Sequence, residues 1–269
     1  MIRSAILYHV YSGHLFFTAA ALFVIGALIP RARVLMLLAI PLAALSGTPI
    51  PLPIIILVTA AITAYFIAVW RRGPPRRGAL LAAAVAVTAV AITVAFELPY
   101  HFSGPVVPRP TRLFVIGDSL ASGGFGETAP WPVRLNAVNL SRPAENAATA
   151  REHIASLPPP KAGDCVIVEI GGNDMLNDGR AKEYASALDA LLRGIHPRAI
   201  VMLELPIVPG AWRYGAIQRR LARQHDALLV PKRLLASVLA DPRNTSDGLH
   251  LTERGHAQMA RDLAGYLNQ

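Results

Sequence analysis

Before residue 99 the chain carries four long apolar runs, at residues 10–29, 34–50, 54–70 and 79–98. None holds an Asp, Glu, Lys or Arg except the last, where Glu97 stands at its end. Each is 17–20 residues long, near the ~20 that an α-helix needs to cross ~30 Å of hydrocarbon. Four runs in succession exclude a cleavable signal peptide, which has a single short one. Residues 1–98 therefore read as an all-α transmembrane region of about four helices. The second run is the weakest, because Pro41 interrupts it and Gly47, Thr48 and Pro49 thin its end.

Charge supports this division and sets an orientation. Residues 1–111 hold 8 Lys+Arg and 1 acid, whereas residues 112–269 hold 18 Lys+Arg and 16 acids. The basic excess thus lies between apolar runs, which is a membrane-topology pattern and argues against a nucleic-acid-binding face. Arg31 and Arg33 fall between runs one and two, and Arg71, Arg72, Arg76 and Arg77 between runs three and four. Four spans place both clusters on one side, the cytoplasmic side by the positive-inside rule. The rest of the chain is then extracytoplasmic, at a bacterial inner membrane. His14 reads as an interfacial or helix-packing histidine. Residues 99–111 carry four prolines and read as a semi-rigid linker.

Residues 112–269 alternate short apolar strands with helical segments. Strands are expected at 113–116, 138–140, 165–170, 200–205 and 227–230, and helices near 130–137, 147–156, 180–194, 212–224, 231–239 and 252–267. Continuous apolar strands between amphipathic helices imply a parallel five-stranded sheet covered on both faces. Such a sheet gathers its site at the carboxyl ends of its strands. Polar motifs stand there: Gly117-Asp118-Ser119-Leu120 after strand one, Gly171-Gly172-Asn173-Asp174 after strand three, and Asp247-Gly248-Leu249-His250 before the last helix. A serine needs a base, a histidine supplies one and an aspartate orients it. An Asn amide and backbone N–H groups can receive an oxyanion.

These three blocks, in this order, resemble the first, third and fifth motif blocks of the SGNH (GDSL) hydrolase family, with Trp131-Pro132 downstream as in its lysophospholipase and arylesterase branch. The resemblance implies a flavodoxin-like three-layer α/β domain over residues 112–269. It implies Ser119 as nucleophile, His250 as general base, Asp247 as its orienter, and Asp118 as a brace for the nucleophile turn. Asn173 and the Ser119 N–H would form the oxyanion hole. The family's second block supplies a glycine, but the matching stretch, residues 139–147, has none; Ala144 is its nearest counterpart. No cofactor and no metal are implied.

The expected activity is a membrane-anchored serine esterase acting on lipid acyl esters or O-acetylated envelope glycans, its partners being the bilayer and that ester. An acyl or acetyl transferase and a catalytically weakened binding module are the alternatives. The single cysteine, Cys165, reads as inert core. His256 reads as structural, His196 and His225 as surface or helix-end residues, and Arg213, Arg219, Arg220 and Arg223 as a solvated helix face. Oligomeric state is not legible.

Overall fold

In the structure, a computed structural model, the described residues are 2–70, 77–102, 109–123, 129–177, 180–206 and 208–267. The amino-terminal half is helical. It comprises α1 (Ile2–Ser12), α2 (His14–Leu28), α3 (Val34–Leu45), α4 (Leu52–Trp70) and α5 (Arg77–Phe102). They pack through Phe23, Met36, Tyr65 and Ala86 into a core of their own.

Runs one to four correspond to α2 to α5, with α1 formed mainly from the residues before them, and the expectation of four membrane-crossing helices is not met by length. Gly13 takes a left-handed conformation (φ 82°), and α1 and α2 bend by 85° there. A side chain at Gly13 would also strike the Lys232 stem, with Cε 2.7 Å from its Cβ. Run two stops as the twelve-residue α3, because the segment rich in Gly, Thr and Pro after it cannot extend the helix. By length and composition, one helix among the described residues, Leu80–Phe102, suffices to cross a membrane.

The helices nonetheless leave their apolar faces bare. Among the described residues, all the exposed large hydrophobics except Val133, Val138 and Leu176 lie before residue 103. Helix ends are also sorted. Gly13 lies against Lys232 of the second half, with Thr48 also near it, while Arg33 lies over the Tyr65 ring, 5.6 Å from its centroid, near the far end of α4.

The second half is a three-layer α/β domain. A fully parallel sheet runs in the order β2-β1-β3-β4-β5. Its strands are β1 (Arg112–Gly117), β2 (Val138–Asn139), β3 (Asp164–Glu169), β4 (Ala199–Leu203) and β5 (Leu228–Val230). Alternation decides which layer each side chain enters. Leu113, Val115, Cys165, Ile167 and Val201 pack with α6 (Ser119–Ser122), α7 (Trp131–Arg134), α12 (Arg233–Leu239) and α13 (Glu253–Ala264). Phe114, Ile116, Val166, Val168 and Met202 pack with α8 (Ala147–Ala150), α10 (Ala181–Ile195) and α11 (Trp212–Gln224). All five strands arise where the sequence places them. The expected helix over 147–156 divides into α8 and a 3-10 turn, and the short α9 (Gly172–Leu176) was not foreseen.

The two halves are joined by more than a linker. Helix α5 continues through Pro99 to Phe102, so residues 99–102 are helical; residues 103–108 lie outside the described residues. A proline costs a helix one N–H and a clash one turn back, and the last turn is anchored instead by α11. Arg219 donates to both carboxylate oxygens of Glu97, at 2.5 and 2.8 Å, and through Nε to Glu204 at 2.6 Å. It lies over the Tyr100 ring at 4.0 Å. All three charged side chains are buried. Arg219 therefore leaves the solvated face expected of the α11 arginines, whereas Arg213, Arg220 and Arg223 stay exposed. Helix α1 packs on α12.

Candidate active site

Strand β1 ends at Gly117, and the chain turns at once into α6. Asp118 caps that helix, its Oδ1 accepting the Leu120 N–H at 3.0 Å. Ser119 is the first helical residue, half-buried, and its N–H falls among the donors that a helix start leaves unmatched. Beneath the turn lies Glu169, the last residue of β3, fully buried beside Gly117. Its Oε2 receives the Asp118 N–H at 3.4 Å. Burial, and then the neighbouring Asp118 charge, push the Glu169 carboxyl well above the usual range. Burial also pushes Asp118 up, to about 6, against the opposing pull of the Leu120 N–H and of Glu169. The two carboxyls therefore titrate as a pair, each raised chiefly by burial.

Both carboxyls bind protons more tightly in the folded chain than in the unfolded one. Their stabilisation is complete below about pH 4 and lost as pH rises through the folded values, about 6 for Asp118. Glu169→Gln keeps the shape and removes the proton requirement. The variant should match the wild type near pH 4 and gain on it by roughly 1 kcal/mol per pH unit above that. Thermal unfolding from pH 4 to pH 8 reads this, and parallel curves for the two proteins would refute it.

The second and third blocks meet over this turn. Asn173, in α9, donates its amide to the Glu145 carbonyl at 2.8 Å and approaches Asp118 Oδ2 at 3.5 Å. Gly171, before it, adopts φ 121°, and a Cβ there would lie 2.6 Å from the Tyr184 hydroxyl; this explains the first glycine of the block. Asp174 accepts the Ala147 N–H at 3.0 Å. Asn146 caps α8 with a reciprocal capping box. Glu145 is buried and pairs with His153 Nε2 at 2.5 Å.

Held from both sides, Ala144 takes φ 62°. The position that the sequence matched to the family glycine therefore keeps the left-handed backbone glycine favours, at a cost of about 1–2 kcal/mol to a residue with a Cβ. Glycine would return part of that through its larger unfolded-state entropy. Ala144→Gly should raise stability by up to about 1 kcal/mol, seen as a higher unfolding midpoint. A midpoint lower than wild type would show the strain to be absent.

The fifth block closes on itself. Ser246 N–H donates to His250 O at 2.9 Å, and Thr245 bridges Leu251. Asp247 Oδ1 accepts the Leu249 and His250 N–H groups at 2.9 and 2.8 Å. His250 Nδ1 meets Asp247 Oδ2 at 2.6 Å. That histidine bond, and then the backbone donors, hold Asp247 far below the usual carboxylate range, so it is ionised at neutral pH. The imidazole spends Nδ1 on the carboxylate.

Other sequence readings resolve simply. His256 is buried in α13, its Nδ1 accepting the Trp131 N–H at 3.4 Å. His225 ends α11 and pairs with Asp189 at 2.7 Å, and His196 is exposed. Cys165 is buried, and burial pushes its thiol up to about 12. Sequence reasoning missed Glu169 and the Glu145–His153 pair. Glu169 left one signal, an acid in an otherwise apolar strand next to the third block; the pair left none.

Residues 115–258 match the model of the GDSL-like Lipase/Acylhydrolase family. The chain is 26% identical over 155 residues to thioesterase 1/protease 1/lysophospholipase L1 of Escherichia coli (strain K12), covering 51% of this chain and 74% of the relative. The crystal structure of TesA superposes with a TM-score of 0.52 at 19% identity, over 58% of this chain and 98% of that one. The psychrotrophic esterase EstA from Pseudoalteromonas sp. does so with a TM-score of 0.53 at 16% identity, over 58% and 96%. These two likenesses support the fold. The family match covers more than half the chain and contains the first and third blocks together with the Asp247–His250 turn, so the protein belongs to the GDSL-like lipase/acylhydrolase family and is a serine esterase/lipase-type hydrolase.

Proposed function

We propose that the protein is a membrane-embedded ester hydrolase whose nucleophile is Ser119. Its Oγ attacks the ester carbonyl carbon while His250 Nε2 takes the hydroxyl proton. Asp247 holds the imidazole by Nδ1 and stabilises the imidazolium that forms. The tetrahedral oxyanion is received by the Ser119 N–H, the Ala144 N–H and the Asn173 amide. Collapse expels the alcohol, which takes the proton from His250, and leaves an acyl-enzyme. Water then repeats the sequence and releases the acid. The observation that carries this reading is the 2.6 Å Asp247–His250 pair, in a chain whose Asn173 amide lies beside the Asp118 cap of the Ser119 helix.

The substrates proposed are carboxylic esters of lipids or O-acetylated envelope glycans. A relative named both thioesterase and lysophospholipase favours lipid acyl esters. Embedding is supported by the apolar side chains left exposed on α2 to α5. It is supported too by the separation of Arg33 from the helix ends that meet the hydrolase domain. In this reading the helices sit in the bilayer with the hydrolase domain on the extracytoplasmic side.

Two reporter fusions test the topology. Alkaline phosphatase joined after Gln269 should be active, because it requires export, and joined after Arg77 should be inactive. An inactive carboxyl-terminal fusion made at normal levels would place the hydrolase domain in the cytoplasm and remove the envelope glycans from consideration.

A further inference from the structure

A cavity of about 590 Å³ lies among α2, α3, α4 and α5. Its walls include Phe16, Phe23, Val58, Ile62 and Val90. Two of the threonines on it, Thr63 and Thr93, turn their hydroxyls back to the carbonyls of Thr59 and Ala89 in their own helices. The walls therefore offer a guest dispersion and apolar burial and almost no hydrogen bonds. Gly210 and Trp212, from the segment after the carboxyl end of β4, close one end.

We infer that this cavity binds a single lipid acyl chain, clasped between the helical half and the hydrolase domain. The chemistry of the lining selects hydrocarbon, and the size is that of a one-ligand pocket. The bare apolar faces of the same helices supply a neighbouring source of such chains. The occupied site would also touch the catalytic half. Trp212 opens α11, and two residues on the Tyr214 hydroxyl donates to the Asp174 carbonyl at 3.1 Å, next to Asn173. This binding does not depend on the proposed catalytic roles.

The test uses the full chain in phosphatidylcholine nanodiscs, in a Trp70→Phe background, with dibromostearoyl-lysophosphatidylcholine as the probe. Bromine on the chain quenches indole at contact, so Trp212 reports occupancy and a Trp212→Phe control supplies the background from Trp131. Quenching of Trp212 should saturate near one probe per protein. Val90→Phe, which fills the cavity, should weaken the apparent affinity at least tenfold at an unchanged unfolding midpoint; if it does not accumulate, Ala20→Leu serves the same purpose. Quenching that rises with the probe's share of the bilayer and never saturates would overturn the proposal. So would saturation unaffected by either filling variant.

Discussion

Ser119→Ala should lower ester hydrolysis by about 10³-fold or more and abolish labelling by a serine-reactive phosphonate. The reason is that the hydroxyl alone supplies the bond-forming oxygen. The substitution removes one oxygen at a half-buried position and leaves the Asp118 cap and the sheet intact, so folding should be unchanged. His250→Ala should cost about as much, because nucleophile and base act as a unit and losing either disables both. Asn173→Ala should cost less, about 10²–10³ in kcat, since backbone donors remain at the oxyanion. The order of these three losses is itself diagnostic. Phosphonate labelling that persists in Ser119→Ala would remove Ser119 from the mechanism, and an Asn173→Ala variant with full activity would remove its amide from the oxyanion hole.

Arg219→Met should be among the most destabilising single substitutions in the chain. Among the described residues Arg219 is the only cation bonded to Glu97; it also bonds Glu204, and both acids are buried. Methionine leaves two carboxylates in a low-dielectric junction with no partner for Glu97. Breaking a buried pair in this way costs about 3–5 kcal/mol. Lys232 does not replace the guanidinium: its backbone N–H serves Glu204 at 3.2 Å, while its Nζ makes no hydrogen bond among the described atoms. The loss should fall chiefly on the attachment between α5 and α11. The measurement is thermal unfolding of the full chain in detergent, with limited proteolysis of the region after Phe102. Adding Glu97→Gln to Arg219→Met should recover part of the loss, because it removes one stranded charge. An Arg219→Met midpoint within experimental error of the wild type would mean that this ion pair does not hold the halves together.

The junction also changes how the helical half is understood. A four-proline stretch reads as a semi-rigid linker, which keeps an enzyme near its anchor without fixing how it sits. Glu97 and Tyr100 on the last turns of α5, engaged by Arg219, instead hold the hydrolase domain at one end of the helices. The acid at the end of the fourth apolar run, the only charged residue in any of the runs, is thus accounted for as half of an interdomain ion pair.

Much of the fold and site is local information, and local information is legible. Each strand of the sheet is an apolar run bounded by turn residues, so its place follows from hydrophobic pattern alone. Parallel pairing follows from the helices between strands. Ser119, Asn173 and the Asp247–His250 turn stand at strand ends or in a four-residue motif, where spacing along the chain already sets the geometry. The glycine missing from the second block left a position, Ala144, whose φ of 62° shows why the family prefers glycine there.

What only the tertiary structure decided comes from groups far apart in sequence. The partners of Arg219 are 15 and 122 residues away, and Glu169 meets Asp118 across 51 residues. No periodicity encodes such pairs, because each requires two chain segments to be docked before either charge is desolvated. An arginine on a helix face and an acid in a strand look the same in sequence whether water or a partner waits for them. The break at Gly13 is of the same kind. Hydropathy counts apolar residues and treats run one as a single span, but hydropathy does not record backbone conformation. At Gly13 the left-handed φ and the Lys232 stem packed against it end α1 near the start of that run, and α2 leaves it at 85°.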